Sequence, residues 1–221
     1  MKLSICKVIF DDITLSPRYS EKIRGFMGNK YKDIDLLHNH QDEKFIYRYP
    51  LVQYKIIKNI PMIIGVNEGA EAIVNIGIKD DELILEGKEY EIYEKKIVKS
   101  SLDFGCSDEY ISYKFITPWI ALNQNNVKAY KNGKEMEREE LLKKILIGNI
   151  ISMSKGLDYN VVDKINCWID LTEKKVMLKG ISHIGFLGEF KVNYNIPDYL
   201  GIGKAVSKGF GTVVKNYEIK I

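Results

Sequence analysis

A chain of 221 residues is long enough for one large or two small domains with a substantial core. At 45% hydrophobic and 29% charged residues the composition is that of an ordinary globular protein, and a net charge of +3 excludes a general polycation, so any nucleic-acid surface must be local. Cys6, Cys106 and Cys167 are odd in number, far apart and without a Cys-x-x-Cys pair, which points to reduced thiols in a cytoplasm and argues against a disulfide frame or zinc knuckle; no apolar run is long enough to span a membrane.

Leu3 to Phe10 alternates and reads as a first strand, and Lys7 within it, with Asp11 and Asp12 after it, is unlike a signal peptide. Ser16-Pro17 supplies an N-cap and a first-turn proline for a helix with Tyr19, Ile23, Phe26 and Met27 on one face and Gly28-Asn29 at its end. Lys44 to Tyr49 and Leu51 to Ile57 read as strands interrupted by Pro50, and Ile60 to Val66 continues the extended pattern. Asn67 caps a short helix from Glu68 to Ile76, ended by Gly77, and Glu82 to Leu85 and Tyr90 to Tyr93 are further strands. The order β-α-β-β-α-β is the ferredoxin-like arrangement that RNA-recognition domains also use. It assigns residues 1–95 to an N-terminal domain.

The stretch from Glu94 to Glu109 is charged and irregular. Beyond it Tyr110 to Ile116 is a strand that Thr117-Pro118 breaks, and a long helix covers Glu137 to Lys155 with Leu142, Ile145, Leu146, Ile150 and Met153 along one stripe. Lys164 to Leu171, Lys175 to Ile181, Phe186 to Tyr194 and Thr212 to Ile219 are the remaining strands. A glycine-rich loop stands where a second helix would complete the same order, so residues 96–221 form a second ferredoxin-like domain. The fold class is therefore α+β, with two such domains in tandem and a groove between their sheets, although the halves show no convincing sequence repeat.

That loop reads Gly201-Ile202-Gly203-Lys204-Ala205-Val206-Ser207-Lys208-Gly209-Phe210-Gly211. Its glycines permit positive φ and close approach of a ligand to the backbone, and Lys204 and Lys208 add positive charge, the means by which a chain holds phosphates. The spacing is neither a dinucleotide fingerprint nor a P-loop, and a structural hairpin with a tight turn fits it as well.

The second cluster is Lys30, His38-Asn39-His40 and Tyr47. In an extended segment residues two apart point to the same side, so both imidazoles could face one phosphate. Histidine titrates near neutral pH, so one copy can take a proton from a ribose 2′-hydroxyl while the other gives one to a leaving 5′-oxygen. Lys30 can neutralise charge on the phosphorane and Tyr47 can hydrogen-bond a phosphate oxygen. The pair also suits a metal, but a zinc site needs further ligands, and only the distant His183, dispersed cysteines and carboxylates are available.

At this point the chain resembles the CRISPR-associated endoribonucleases that cut repeat RNA precursors into guide RNAs. The glycine loop is similar to their C-terminal signature: Gly201-x-Gly203, five residues, Gly209-Phe210-Gly211 and an apolar Val213. The resemblance narrows to the archaeal type I-B branch through Arg24-Gly25-Phe26, His38-Asn39-His40, Tyr49 to Lys55, Pro118 to Asn123 and Ile145 to Ile150, which cover both halves of the chain.

The resemblance implies cleavage of CRISPR repeat RNA without a metal or other cofactor, leaving a 2′,3′-cyclic phosphate and a 5′-hydroxyl. Lys30, His38, His40 and Tyr47 are similar to the branch's catalytic group; its members differ in which residues do the chemistry, so the resemblance leaves the division between the histidines open, and of the two divisions we take His40 as general base and His38 as acid. RNA would lie in the groove, its backbone gripped by Gly201, Gly203, Lys204, Lys208, Gly209, Phe210 and Gly211, with Tyr54 stacking on an unpaired base. Subunits of a type I interference complex and a second copy of the chain are the implied protein partners. The rival reading is a non-cleaving RNA-binding subunit on the same fold, which shares the glycine loop but has no need of the four catalytic residues together. A metal-dependent hydrolase using the His-x-His pair is a more distant one.

Overall fold

The computed structural model describes residues 1–37, the backbone at 40–41 and 44–45, and residues 49–79 and 81–216. Two compact units emerge, Met1–Asp103 with Ser207–Gly209 and Phe104–Val206 with Phe210–Ile221. No helix among the described residues is long and apolar enough to cross a membrane.

In the first unit β1 (Lys2–Ile9) is followed by a 3-10 turn at Pro17–Tyr19, α1 (Ser20–Lys30), a second 3-10 turn at Asp35–Leu37, and the short β2 (His40–Gln41) and β3 (Lys44–Phe45). Then come β4 (Val52–Ile57), β5 (Ile60–Val66), α2 (Glu68–Lys79), β6 (Glu82–Leu85), β7 (Lys88–Glu91) and β8 (Lys96–Asp103). The main sheet has the order β4-β5-β1-β8 with every neighbour antiparallel. Alternation along the strands sends Cys6, Val8, Val52, Tyr54, Ile56 and Ile63 into one core with Ile23 and Met27 of α1 and Ile73 and Ile76 of α2. Each such aliphatic side chain, fully withdrawn from water, contributes about 2 kcal/mol.

The fourth strand of this sheet is not the one expected. Among the described residues β6 and β7 pair only with each other, and β8, from the stretch read as irregular, lies along β1 from Lys2↔Asp103 to Ile9↔Lys96. The expected boundary at 95/96 thus falls immediately before a strand that belongs to the first unit. β8 carries no buried alternation because it is an exposed, lysine-bearing edge, so periodicity does not reveal it.

The second unit runs β9 (Gly105–Trp119), α3 (Val127–Asn132), α4 (Glu135–Gly156), β10 (Cys167–Leu178), β11 (Ile181–Asn195), a 3-10 turn at Val206–Lys208 and β12 (Val213–Lys215). The sheet order β10-β11-β9-β12, all antiparallel, repeats that of the first unit: in both, the unit's first strand lies between its third and fourth. The tandem ferredoxin-like fold is therefore present, with the glycine loop as the connection from β11 to β12.

Two expected breaks do not occur. β9 continues through Pro118 because the proline's missing N–H falls in an irregular stretch of register, between the partners Phe186↔Trp119 and Gly188↔Phe115. Three strands were expected where β10 and β11 form one long hairpin, turned by Lys179 and Gly180 at φ 51° and 75°. Its outer part extends past the end of β9, so Glu173, Lys174 and Lys175 are exposed and show no alternation.

Candidate functional site

Lys30 is the last residue of α1, and its Nζ lies 3.6 Å from Glu82 Oε1 on β6 and 5.4 Å from the centroid of the Phe26 ring. The chain then passes through the Asp35–Leu37 turn, where Leu37 is buried, to His40 at the head of β2, whose backbone pairs with Phe45. His38, Tyr47 and the side chain of His40 lie outside the described residues.

Tyr54 does not fit the stacking role expected of it. It sits on β4 facing the helices and is 0% exposed, and its hydroxyl donates to the Leu37 carbonyl at 3.3 Å. Burial pushes the phenol far above its usual range. A ring enclosed in the core has no face for a base, so Tyr54 instead anchors the residue that precedes His38.

The glycine loop divides. Gly201, Gly203, Lys204, Phe210 and Gly211 belong to the second unit, where Ile202 N–H donates to Gly211 O at 2.9 Å and Gly211 N–H to Pro118 O at 2.9 Å. Gly203 is exposed at φ +90°, and a Cβ there would lie 2.5 Å from Trp119 Nε1 and 2.9 Å from Asn149 Oδ1. Those two atoms hydrogen-bond each other at 3.0 Å. Gly211, at φ +64°, has the Ile202 carbonyl where its Cβ would be. Both glycines are thus required by conformation and by space, while Lys204 is exposed with no ion pair among the described residues.

Ser207, Lys208 and Gly209 belong to the first unit. The Lys208 ammonium pairs with Glu21 of α1 and its side chain is only 11% exposed. A Cβ on Gly209 would meet Tyr54 O at 3.1 Å and Ser20 Oγ at 3.2 Å. Lys208 is therefore engaged with the helix that ends in Lys30, and it does not project toward solvent as Lys204 does.

Sequence reasoning gave no role to several neighbours of these residues. Trp119 and Asn149 come from two stretches singled out only for their resemblance, and the structure brings them together beneath Gly203. Gln53 and Lys55 lie on the face of β4 opposite Tyr54 and both are 0% exposed. Gln53 Nε2 donates to Tyr49 Oη at 2.9 Å and Pro50 O at 3.2 Å, and burial lowers the Lys55 pKa to about 7. The stretch Tyr49 to Lys55 carried two signals, its part in the family resemblance and polar residues inside an otherwise apolar strand.

Comparison with known proteins matches residues 1–103 to the Cas6b N-terminal domain and residues 105–216 to the Cas6b C-terminal domain. The chain belongs to the Cas6b family. The two Cas6b matches meet where the compact units do, at Asp103 and Phe104. An uncharacterized protein of Methanocaldococcus jannaschii is 48% identical over 146 residues, which cover 66% of this chain and 97% of the relative. A solved Cas6b structure is 44% identical with a TM-score of 0.94, over 98% of this chain and 100% of that one. Another, described as a CRISPR RNA processing endoribonuclease Cas6b, is 40% identical with a TM-score of 0.79 and the same coverage.

Proposed function

We propose that this Cas6b chain cleaves CRISPR repeat RNA within precursor transcripts to release guide RNAs. The observation that carries the reading is the similarity to a solved CRISPR RNA processing endoribonuclease, 40% identical across 98% of the chain, with both units matched to the family.

In this reading His40 takes the proton of a ribose 2′-hydroxyl, whose oxygen attacks the adjacent phosphorus. The bond from phosphorus to the 5′-oxygen breaks as His38 gives that oxygen a proton, leaving a 2′,3′-cyclic phosphate and a 5′-hydroxyl. Lys30, at the end of α1 beside Glu82, offsets the charge on the phosphorane, and Tyr47 hydrogen-bonds one of its oxygens. Side chains supply every proton transfer and the neutralising charge, so the step needs no metal. The exposed Lys204 and the glycines of the loop hold the RNA backbone. Type I interference-complex subunits and a second copy of the chain are the protein partners the reading admits.

The test is cleavage of a labelled repeat RNA in the presence of a chelator, beside a matched substrate with a 2′-deoxy residue at the cut. The first is cut and the second is not. His40→Ala loses about 10²- to 10⁴-fold in rate and keeps its affinity for RNA. Tight binding without cutting of either substrate assigns the chain to the non-cleaving RNA-binding subunits, and strict dependence on added Mg²⁺ overturns the side-chain mechanism.

A further inference from the structure

Tyr110 on β9 and Trp168 on β10 stand on the open face of the second unit's sheet. The preceding residue, Cys167, is buried and donates its thiol to the Lys143 carbonyl of α4 at 3.8 Å, so Trp168 points away from that helix. Trp168 is opposite Lys191 of β11, and Lys191 is opposite Ser112 of β9. Tyr110 precedes Ser112 by two residues on β9, and its ring contact with Trp168 puts it on the same side. The two ring centroids are 4.6 Å apart at an interplanar angle of 74°, and Tyr110 and Trp168 remain 42% and 52% exposed.

An edge-to-face pair accounts for the contact between the rings. It does not account for their joint exposure beside a lysine: Lys191 is exposed and has no ion pair among the described residues. The next row, Asp170, Glu189 and Lys114, carries the acids, with Lys114 4.0 Å from Glu189. On the other side Asn193 Nδ2 donates to the carbonyl of Lys164, which is also exposed and without an ion pair among the described residues. The aromatic pair thus has Lys191 beside it, the row of Asp170, Glu189 and Lys114 on one side, and the exposed Asp108 and Glu109 just before Tyr110. A base stacks on any aromatic face, and its phosphate needs a cation such as Lys191 within reach.

We propose that Tyr110 and Trp168 form a stacking site for an unpaired base of single-stranded RNA, with Lys191 on its phosphate. The site extends the RNA-cleaving reading by adding a contact for single-stranded substrate away from the histidine loop.

Trp168 and the fully buried Trp119, which lies beneath Gly203, are the two tryptophans of the chain, so the difference in emission between wild type and Trp168→Phe reports on the site. The full chain is titrated with a short oligouridylate and with a repeat RNA, following tryptophan emission and affinity. Stacking quenches the wild-type emission, Trp168→Phe removes the signal while keeping affinity, and Trp168→Leu weakens oligouridylate binding about tenfold with an unchanged circular dichroism spectrum. Lys191→Gln lowers the salt dependence of binding. Cleavage of the repeat with no quenching and no affinity loss in Trp168→Leu overturns the site and leaves the nuclease reading intact. Quenching by oligouridylate without cleavage of any repeat retains the site and overturns that reading. Loss of a concentration-dependent dimer in Trp168→Leu, with RNA affinity unchanged, gives the face to a second copy and overturns the proposal.

Discussion

The hydroxyl of Tyr54 donates to the carbonyl oxygen of Leu37 at 3.3 Å, tying a strand of the first sheet to the residue immediately before His38. Tyr54→Phe removes that bond and keeps the packed ring. It should cost about 1 kcal/mol in stability and slow cleavage several-fold, with affinity for an uncleavable repeat unchanged. Single-turnover kinetics beside equilibrium binding checks this. A loss of affinity with stability unchanged would return Tyr54 to the RNA surface.

The two lysines of the glycine loop should separate in a salt titration. Lys204 is exposed, and Lys204→Ala should reduce the slope of log affinity against log salt by about 0.7, the value for one phosphate on a single strand. Lys208 is held by Glu21, and Lys208→Ala should change the slope less. Its larger effect should appear in a double-mutant cycle with Glu21→Gln, as a coupling of about 0.5 kcal/mol in unfolding. A full slope change for Lys208→Ala would mean that RNA displaces Glu21.

Two glycines test the loop against a neutral control. Gly211 combines φ +64° with the Ile202 carbonyl in the place of a Cβ, so Gly211→Ala should destabilise by about 2 kcal/mol or more and reduce RNA affinity. Gly148 lies inside α4 with nothing within 4 Å, so Gly148→Ala should stabilise by about 0.5 to 1 kcal/mol. Denaturant midpoints compare the two directly.

Lys55 makes stability depend on pH in a defined window. Folded, it loses its proton near pH 7, whereas the unfolded side chain holds it to about pH 10.4. Between those values the unfolded state binds more protons, so this contribution to stability rises with pH and is least favourable at and below pH 7. Burial lifts the Cys167 thiol to about 11 and acts in the opposite sense at alkaline pH, so the comparison needs a matched variant. Lys55→Met should remove this pH dependence, so that its stability relative to wild type falls from pH 7 toward pH 10. A difference independent of pH would show that Lys55 stays charged in the fold.

Much of the fold was legible because its signals are local. The alternation of β1, the apolar runs of β4 and β5 and the stripe of α4 follow from period-two and period-3.6 patterns that each segment carries by itself. The stripe is borne out at Leu142, Leu146, Ile150 and Met153, all buried. β8 was not legible, since a charged edge strand is defined by its partner β1 and not by its own pattern. α3 was missed because six residues after an asparagine-rich turn are too few to show a period.

The same division holds at the candidate site. The helix and strand periods of single elements, the glycine loop and the proximity in sequence of His38 to His40 are properties of short segments, and the sequence alone determined them. Which side chains those segments expose depends on contacts between residues far apart in the chain. Only the tertiary structure decided that Tyr54 is sealed into the core, that Lys208 meets Glu21 across 187 positions while Lys204 does not, and that Trp119 and Asn149 meet beneath Gly203. Residue type gives a side chain its chemistry, but burial and partners decide whether an RNA can reach it.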